Sequence, residues 1–316
     1  MRMNSIAGDS TQAGKATLVV GVGGFGGLVA RRLHGLLRGG TGPGRTTRIC
    51  VVDTDANDVE KAEGDGLAAH LVSARGPNRC FGDSRVANVT EHPDRFSGGW
   101  VSRFLASHDL LDSLQVEAGA STMPPVGDFL FEISRGPLED FLLKQVRAVG
   151  LDASSVGTIL VGSAGGGTSA PGLLRLARAF GGPERHRILG GSTQFSLPDI
   201  WFLPPWLQSG AQRTRTFQLR PLANAYAFTK EADYLSHQRV VGSVYRFGLG
   251  NGQGAMAGTL DEGADMLADA IHLHLACQGA IEARLADTFR VVSNEPGRLG
   301  LRLGTTAPRA AAGGAP

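Results

Sequence analysis

The amino-acid sequence predicts an α/β fold, with a Rossmann-like, mostly parallel sheet and helices on both faces of that sheet. β-Prone runs alternate along the chain with segments of helical spacing, which is typical of parallel strands joined by helical crossovers. In addition, a β-prone run leads through a glycine cluster into a helical segment twice, at residues 16–33 and at residues 158–180. At 316 residues, the chain can form one large domain or two modest ones.

The first glycine cluster has the sequence GVGGFGG and occupies residues 21–27. It contains a GxGxxG pattern between a predicted strand and a helix predicted from Leu28, which is the context that the motif requires. Glycines permit a tight turn and let backbone N–H groups approach a phosphate, while the helix N-terminus adds donors and a positive dipole end. A glycine-rich turn without a ligand is the alternative.

The second glycine cluster, GGGT at residues 165–168, follows the β-prone run 158–161 and precedes the helical segment 173–180. Three consecutive glycines leave backbone N–H groups open to an anion, and the following helix N-terminus favours negative charge. The alternative is an ordinary turn between a strand and a helix.

Two acidic residues, Asp53 and Asp55, follow a predicted buried strand at residues 48–52. Open α/β sheets bind ligands at the carboxyl ends of their strands, so both residues are candidates for ligand binding. In a dinucleotide oxidoreductase, Asp53 would bind the ribose 2′-hydroxyl group. The alternative for both residues is capping of the helix that leads to Val59.

The rest of the chain continues the alternation of helical and β-prone patterns. Helices are predicted at residues 100–118 and 127–149, and the second must break or restart at Gly136 and Pro137. Residues 64–99 lack a sustained period and are interpreted as a long loop. Candidate strands lie at residues 187–191, 200–203 and 243–249.

Two further helices are predicted toward the C-terminus. Pro221 is placed at the start of the first, where proline is tolerated, and Asn224 then lies in its first turn. The second extends from about Leu260 to Leu285 with apolar residues at spacings of three and four. A helix of that length spans on the order of 40 Å, enough to cross a domain.

Composition argues against several classes of protein. The formal net charge is +2 and no basic stripe with interleaved aromatic residues accompanies it, so a nucleic-acid partner is not expected. Cys50, Cys80 and Cys277 have neither metal-site spacing nor the pattern of a disulfide framework, which favours a reducing cytoplasm and predicts no protein-bound metal site. No apolar run approaches the roughly 20 residues of a transmembrane helix.

The order of these motifs resembles that of the tubulin/FtsZ superfamily, and more closely that of the divergent bacterial tubulin-like proteins. The first cluster is similar to GVGGGGG, and the second, continued to Pro171 as GGGTSAP, is similar to GGGTGTGAAP. Residues 53–56, DTDA, are similar to an Asn-Thr-Asp-Ala strand end. The helix that carries Asn224 resembles one whose asparagine contacts guanine, and residues 277–279, CQG, resemble the Val-Gln-Gly of a long central helix.

This resemblance implies a domain organisation, a cofactor and partners. Residues 16–290 would form a tubulin/FtsZ-type nucleotide-binding domain that binds GTP or GDP together with Mg²⁺. Residues 1–15 would be a disordered lead, and residues 291–316 a short extension and a disordered tail. The protein would be cytoplasmic, and a homo-oligomer or filament of a bacterial cytoskeleton would be possible.

The resemblance also assigns roles to particular residues. GTP would lie between the two glycine clusters, with Asp53 or Asp55 near phosphate, ribose or a bound Mg²⁺. Asn224 would read guanine, and Asp269 is a candidate for a second contact with the base. The residues expected at the phosphates are Gly21, Gly23, Gly24, Phe25, Gly26, Gly165, Gly166, Gly167 and Thr168.

Two departures from the superfamily pattern bear on catalysis. Between Thr168 and Pro171 this chain has two residues where the superfamily has five. The stretch VVSNEP at residues 291–296 lacks the aspartates of the superfamily's Asn-x-Asp-x-x-Asp, and Glu295 is the only nearby acid and thus a weak catalytic candidate. The chain also ends where a second domain would begin. The sequence therefore predicts GTP binding with weak or absent hydrolysis.

Two other functions stay open from the residues alone. One is a non-enzymatic scaffold on a degenerate GTPase fold, which the short second cluster favours. The other is an NAD-dependent Rossmann enzyme that uses the first glycine cluster and Asp53.

Overall fold

The computed structural model of the protein describes residues 16–38, 47–73, 119–120, 122–150, 155–183, 185, 194–205, 215–247 and 258–276. The strands are β1 (Ala16–Val22), β2 (Thr47–Asp53), β3 (Ala68–Leu71), β4 (Ser155–Ser163), β5 (Gln194–Phe195), β6 (Asp199–Leu203) and β7 (Val244–Arg246). The helices are α1 (Gly23–Arg38), α2 (Ala56–Gly64), α3 (Pro124–Ile133), α4 (Arg135–Gly150), α5 (Ser169–Gly181), α6 (Arg215–His237) and α7 (Leu260–Ala276).

The seven described strands form one sheet, and all of their pairings are parallel. The order is β3-β2-β1-β4-β6-β7, while the short β5 pairs with β4. Parallel strands need long crossovers, so helices cover both faces of such a sheet. The predicted Rossmann-like architecture is confirmed.

The central strand β1 is buried along its whole length, and its side chains alternate between two cores. Leu18, Val20 and Val22 pack into the core beneath α3, α4, α5 and α6. Val19 packs on the opposite face, where α1, α2 and α7 cover the sheet. A strand that is buried on both faces needs apolar residues along most of its length, and this continuous apolar run is the pattern from which β1 was predicted.

Two helices begin earlier than their spacing predicts, one inside the first glycine cluster and one directly after the second. α1 begins at Gly23 and not at Leu28, and α5 begins at Ser169 and not at Leu173. Glycine disfavours a helix locally, but packing of the whole helix against the sheet outweighs that preference.

The prediction that a helix begins at Pro221 is wrong, because α6 begins at Arg215 and contains Pro221 in its interior. Proline removes one backbone hydrogen bond from the helix. Pro221 and Phe228 are both buried on the inner face of α6, so the packing of this face stabilises the helix across the proline.

The segment 127–149 is divided as predicted, but at Ser134, so that Pro137 lies in the first turn of α4, where proline is tolerated. The long loop predicted at residues 64–99 contains β3, which is too short and too exposed to produce a clear pattern. The predicted elements at residues 100–118 and 187–191 lie outside the described part of the chain.

The long C-terminal helix is described from Leu260 to Ala276, and its predicted continuation to Leu285 lies outside the described residues. None of the helices that the structure describes combines the length and the apolar character needed to cross a membrane.

Candidate functional site

The carboxyl ends of β1, β2 and β4 lie side by side at one edge of the sheet, here called the loop edge. Val22 of β1 is in register with Val52 of β2, and Gly21 is in register with Val161 of β4. Both glycine clusters and Asp53 directly follow or end these strands, so the fold brings them together at the loop edge.

Two helices begin at the loop edge with their N-termini in contact. A Cβ atom added to Gly23, the first residue of α1, would lie only 3.2 Å from the backbone nitrogen of Ser169, the first residue of α5. Gly23 has φ = +71°, a conformation that glycine adopts without steric cost. The first-turn N–H groups of α1 lack acceptors within their own helix, whereas in α5 the N–H groups of Ala170 and Gly172 bond to the carbonyl oxygens of Gly166 and Thr168. The two N-termini nevertheless meet as two positive dipole ends.

The hydroxyl group of Ser169 joins these two helices to the sheet. Its Oγ donates to the carbonyl oxygen of Val22 at 2.8 Å and accepts from the N–H of Ser163 at 2.7 Å. Val22 ends β1 and Ser163 ends β4, so this one buried side chain connects two adjacent strand ends with the first turn of α5.

The glycines of the first cluster divide into two groups. Gly21 and Gly26 are packing positions, because a Cβ atom on Gly21 would collide with the carbonyl oxygen of Gly26, and one on Gly26 would collide with that of Val161. Because Gly21 and Gly26 have no side chains, α1 can lie directly on β1 and β4. Gly23, Gly24 and Phe25 form the first turn of α1, where their N–H groups face the open helix end.

The second cluster is held on two sides. The N–H of Gly165 donates to Ser163 Oγ at 3.3 Å. A Cβ atom on Gly127 of α3 would collide with the carbonyl oxygen of Gly167, so α3 packs directly against the cluster. Within the described part of the chain, the N–H groups of Gly167 and Thr168 make no hydrogen bond.

A pair of buried hydroxyl groups connects the second cluster to the end of β2. Thr54 Oγ1 and Thr168 Oγ1 lie 2.5 Å apart, and Thr54 Oγ1 also accepts from the N–H of Ala120 at 2.9 Å. Gly119, with φ = +75°, turns the chain at this point beside Thr54. Residues 119–120 therefore belong to the site.

Asp53 is almost fully buried, with 2% of its surface exposed. Its Oδ1 accepts from the N–H of Thr54 at 2.7 Å and from that of Asp55 at 3.2 Å, whereas Oδ2 has no partner among the described residues. Burial raises the pKa of this carboxyl to about 7, although the two backbone hydrogen bonds favour its ionised form.

Asp55 caps a helix, which is one of the two roles open from the sequence. It is the N-cap residue of α2, and its side chain accepts from the N–H of Asn57 at 2.9 Å. Asp53 does not cap α2 in this way, since its carboxyl group bonds to the N–H groups before the helix.

Asn224 reaches the site from the middle of α6. Its Nδ2 donates to the carbonyl oxygen of Gly165 at 3.1 Å and to that of Thr122 at 3.0 Å. The structure therefore brings together the second cluster and Asn224, which are 59 residues apart in sequence.

α7 approaches the loop edge from the opposite end of α1. Asp261 in the first turn of α7 forms an ion pair with Arg32 of α1, with Arg32 Nη2 and Asp261 Oδ1 3.1 Å apart. Arg32 lies more than two helical turns from the end of α1 that is at the loop edge. Near the C-terminal end of α7, His274 packs edge-on against Trp201, with ring centroids 5.4 Å apart. Because Trp201 is in register with Val161 near the loop edge, α7 runs antiparallel to α1.

The structure leaves the roles of two predicted residues open. Asp269 is exposed on α7. Glu295 lies outside the described part of the chain. Their predicted roles stay predictions.

Three parts of the site were missed by the sequence prediction: the hydroxyl groups of Ser169 and Thr54, and the segment around Gly119 and Ala120. The signal for Ser169 was its position directly after the GGGT cluster, where the chain is shorter than the superfamily pattern. Thr54 lay between the two predicted aspartates. Nothing in the local sequence marked residues 119–120, which reach the site only through the tertiary fold.

Comparison with known proteins supports the fold. No protein-family model and no curated protein matches this sequence. Among solved structures, CetZ2 from Haloferax volcanii, a GTPγS-bound protofilament, has a TM-score of 0.52 at 18% identity over 87% of this chain and 63% of that chain. CetZ1 from Haloferax volcanii, a GDP-bound monomer, matches with a TM-score of 0.47 at 13% identity over 86% of this chain and 63% of that chain.

TubZ of Clostridium botulinum phage c-st matches with a TM-score of 0.45 at 10% identity over 84% of this chain and 61% of that chain. This chain thus spans less than two thirds of the length of these structures. At such identities the likeness concerns the fold and not the activity. The described part of the chain has a tubulin/FtsZ-like fold.

Proposed function

We propose that this protein binds a guanine nucleotide at the loop edge, with its phosphate groups at the N-termini of α1 and α5. The observation that carries the proposal is the contact between these two N-termini at Gly23 and Ser169. Each helix N-terminus is equivalent to roughly half a positive charge, so two of them in contact repel each other unless an anion lies beside them. A diphosphate or triphosphate supplies that anion.

The donors for such a phosphate chain come from both glycine clusters. The first turn of α1 supplies the N–H groups of Gly23 and Gly24, and the second cluster supplies those of Gly167 and Thr168. Donors on two sides favour a ligand with at least two phosphate groups over one with a single phosphate.

Asp53 is one of the carboxyl groups at the loop edge that would oppose a phosphate if it were ionised. Because burial raises its pKa to about 7, the fold reduces this opposition. A protonated carboxyl group also donates a hydrogen bond, which an anionic oxygen can accept.

The base would lie beside Asn224. A groove of about 1240 Å³ has α5 as its floor and α3, α4 and α6 as its walls, and Asn224 and Pro171 line it. Asn224 bonds to Gly165, so this part of the groove adjoins the second cluster. In this proposal, Asn224 distinguishes guanine from other bases through the hydrogen-bonding capacity of its amide group.

Mg²⁺ would enter the site with the nucleotide. No group of three or more His, Cys, Asp or Glu side chains converges to hold a metal ion in the described part of the chain. Mg²⁺ commonly binds through substrate phosphates, water and one or two carboxylates, so the acidic surroundings of Asp55 and Asp58 fit such a complex. The ion would neutralise phosphate charge.

Hydrolysis in this proposal is slow or absent. The described residues at the loop edge supply N–H donors and hydroxyl groups, but the only carboxylates are Asp53, which is buried, and those at the start of α2. Electrostatic stabilisation by backbone donors and Mg²⁺ can persist without an acid that positions water.

Calorimetric titration of the purified protein with GTP, GDP, ATP and NAD tests the proposal. We expect GTP and GDP to bind more tightly than ATP and NAD, and phosphate release from GTP to be slow or undetectable. Preference for NAD, or the absence of nucleotide binding, would overturn the proposal.

Two glycine substitutions separate the guanine-nucleotide proposal from an NAD-dependent Rossmann enzyme. Gly23→Ala strains a left-handed position in the first cluster, whereas Gly166→Ala places a methyl group 3.3 Å from Ser169 Cβ in the second. If the phosphates lie between both clusters, both substitutions weaken binding. A site that uses the first cluster alone is weakened by Gly23→Ala only.

Self-assembly is a second function that one comparison favours. CetZ2, the structure with a TM-score of 0.52, is a protofilament bound to GTPγS. Head-to-tail contacts that do not close into a ring produce filaments. Sedimentation with GTP and without nucleotide tests this function, and a monomer under both conditions would leave nucleotide binding without assembly.

A further inference from the structure

We propose that Ser169 is a positioning residue for the phosphate groups, because its hydroxyl holds the N-termini of α1 and α5 at the spacing that lets one phosphate chain contact both. This inference rests on the proposed nucleotide function and adds to it a residue that the glycine pattern does not include. The residue acts through the two helix ends and need not touch the ligand.

The geometry of the hydroxyl gives it this role. Ser169 is 3% exposed, and its Oγ both donates to the carbonyl oxygen of Val22 and accepts from the N–H of Ser163. Val22 immediately precedes Gly23, the first residue of α1. The hydroxyl therefore connects the residue before one helix to the first residue of the other.

Three glycines surround Ser169 and make room for it. A Cβ atom on Gly162 would collide with Ser169 Oγ, while one on Gly23 would lie 3.1 Å from Ser169 Cβ and one on Gly166 would lie 3.3 Å from it. Gly162 and Gly166 lie on either side of the end of β4, whereas Gly23 comes from the first glycine cluster. Their common neighbour indicates that the fold is arranged around this side chain and not only around an open ligand cradle.

The short second cluster makes this connection direct. Only residues 164–168 separate the end of β4 from the start of α5. A connection of this length has little conformational freedom, so the position of Ser169 also fixes the direction of the N–H groups at residues 166–168. Without the hydroxyl, repulsion between the two positive helix ends favours their separation.

The test compares Ser169→Ala with Thr17→Val. Thr17 is a matched control, because its side chain is also buried but lies near the start of β1, five residues before that strand reaches the loop edge at Val22. For each variant, calorimetry gives the Kd of GTP and of GMP, and urea unfolding gives the stability. GMP carries a single phosphate, which can be bound by one helix end.

We expect Ser169→Ala to weaken GTP binding by about tenfold or more, as the loss of hydrogen bonds to a positioned group implies, and to weaken GMP binding by much less. Thr17→Val removes a buried hydroxyl group at the opposite edge of the sheet and should leave both Kd values unchanged. A merely structural role for Ser169 predicts equal losses for GTP and GMP, because a smaller folded population lowers all affinities by one factor.

Failure of the inference and failure of the proposed function give different results. If the wild-type protein does not bind GTP, the proposed function fails and the inference fails with it. If the wild-type protein binds GTP and Ser169→Ala binds it equally well, only the inference is overturned. Should Ser169→Ala not fold, Ser169→Cys retains a side chain of similar shape with a weaker donor, and an unchanged GTP to GMP ratio in that variant overturns the inference.

Discussion

Asp53 is a carboxyl group whose ionised form the fold disfavours. Its Oδ2 atom is buried without a partner among the described residues, and its pKa is raised from 3.8 to about 7 by burial. The folded protein therefore binds the proton of Asp53 more tightly than the unfolded chain does. This contribution to stability is fully present below about pH 4 and is lost as the pH rises through 7.

We predict that Asp53→Asn reduces the loss of stability between pH 5 and pH 8. The amide oxygen can accept the same two backbone N–H groups, but the amide does not ionise. The raised pKa of Asp53 corresponds to a decrease on the order of 3 kcal/mol in the free energy of unfolding of the wild-type protein between pH 5 and pH 8. Urea unfolding of both proteins at the two pH values measures it.

The control for this prediction is Asp269→Asn, which changes an exposed carboxyl group on α7. It should leave the pH dependence of the wild-type protein intact. Equal pH dependence in the wild-type protein and Asp53→Asn would mean that Asp53 is ionised in the folded state throughout this range.

At the scale of elements, α3 and α5 form a unit that supports the second glycine cluster. Arg175 of α5 bonds to two carboxylates of α3, with Nη2 and Asp128 Oδ2 3.0 Å apart and Nη1 and Glu132 Oε2 2.5 Å apart. Although burial opposes its charge, these carboxylates hold the pKa of Arg175 above its ordinary value. The same two helices meet where Gly127 packs on the carbonyl group of Gly167.

We predict that Arg175→Ala lowers the free energy of unfolding by about 2–4 kcal/mol, because it leaves two partly buried carboxylates without this partner. Arg178→Ala is the matched control. Arg178 also lies on α5 and pairs with Glu231 of α6, but both side chains are more than 40% exposed, so its loss should cost less than about 1 kcal/mol.

Chemical denaturation of the two variants measures this difference. If Arg175→Ala and Arg178→Ala destabilise the protein equally, burial of the ion pairs of Arg175 with Asp128 and Glu132 does not strengthen the connection between α3 and α5. If α3 supports the second cluster, Arg175→Ala should also weaken GTP binding, whereas Arg178→Ala should not.

For the whole molecule, the sheet was predictable because its strands carry local signals. The strands β1 and β4 are continuous apolar runs that end in glycines, and burial on both faces requires such runs. β3 was missed because four residues at intermediate or high exposure carry no such pattern. The helix ends and the position of Pro221 were wrong because tertiary packing outweighed local propensity there.

The candidate site was predictable only where its residues lie in motifs. The glycine clusters, Asp53 and Asn224 were found from the sequence, and the structure brings them to one edge. The bonds between Ser169 and Val22 and between Thr54 and Thr168 join residues 147 and 114 positions apart. Local spacing contains no information about such pairs, so these hydroxyl groups could be found only in the folded chain.

Nucleotide binding should couple the site to the stability of the whole sheet, and Cys50 can report this coupling. Cys50 is fully buried in β2, and burial raises the pKa of its thiol to about 12, so a thiol reagent reacts only when the sheet opens. The proposed ligand contacts segments that follow β1, β2 and β4. An opening that exposes Cys50 therefore also destroys the site.

We predict that GTP slows the labelling of Cys50 in the variant Cys80→Ser/Cys277→Ser, which retains no other cysteine. At a free GTP concentration about 100 times its Kd, linkage stabilises the closed state by about 2.7 kcal/mol, which corresponds to about 100-fold slower labelling when opening and closing are fast. ATP at the same concentration is the control and should have a smaller effect. A labelling rate that GTP does not change, in a protein that calorimetry shows to be saturated, would mean that Cys50 becomes exposed without loss of the site, and that the nucleotide is held by a part of the molecule that opens separately from the sheet.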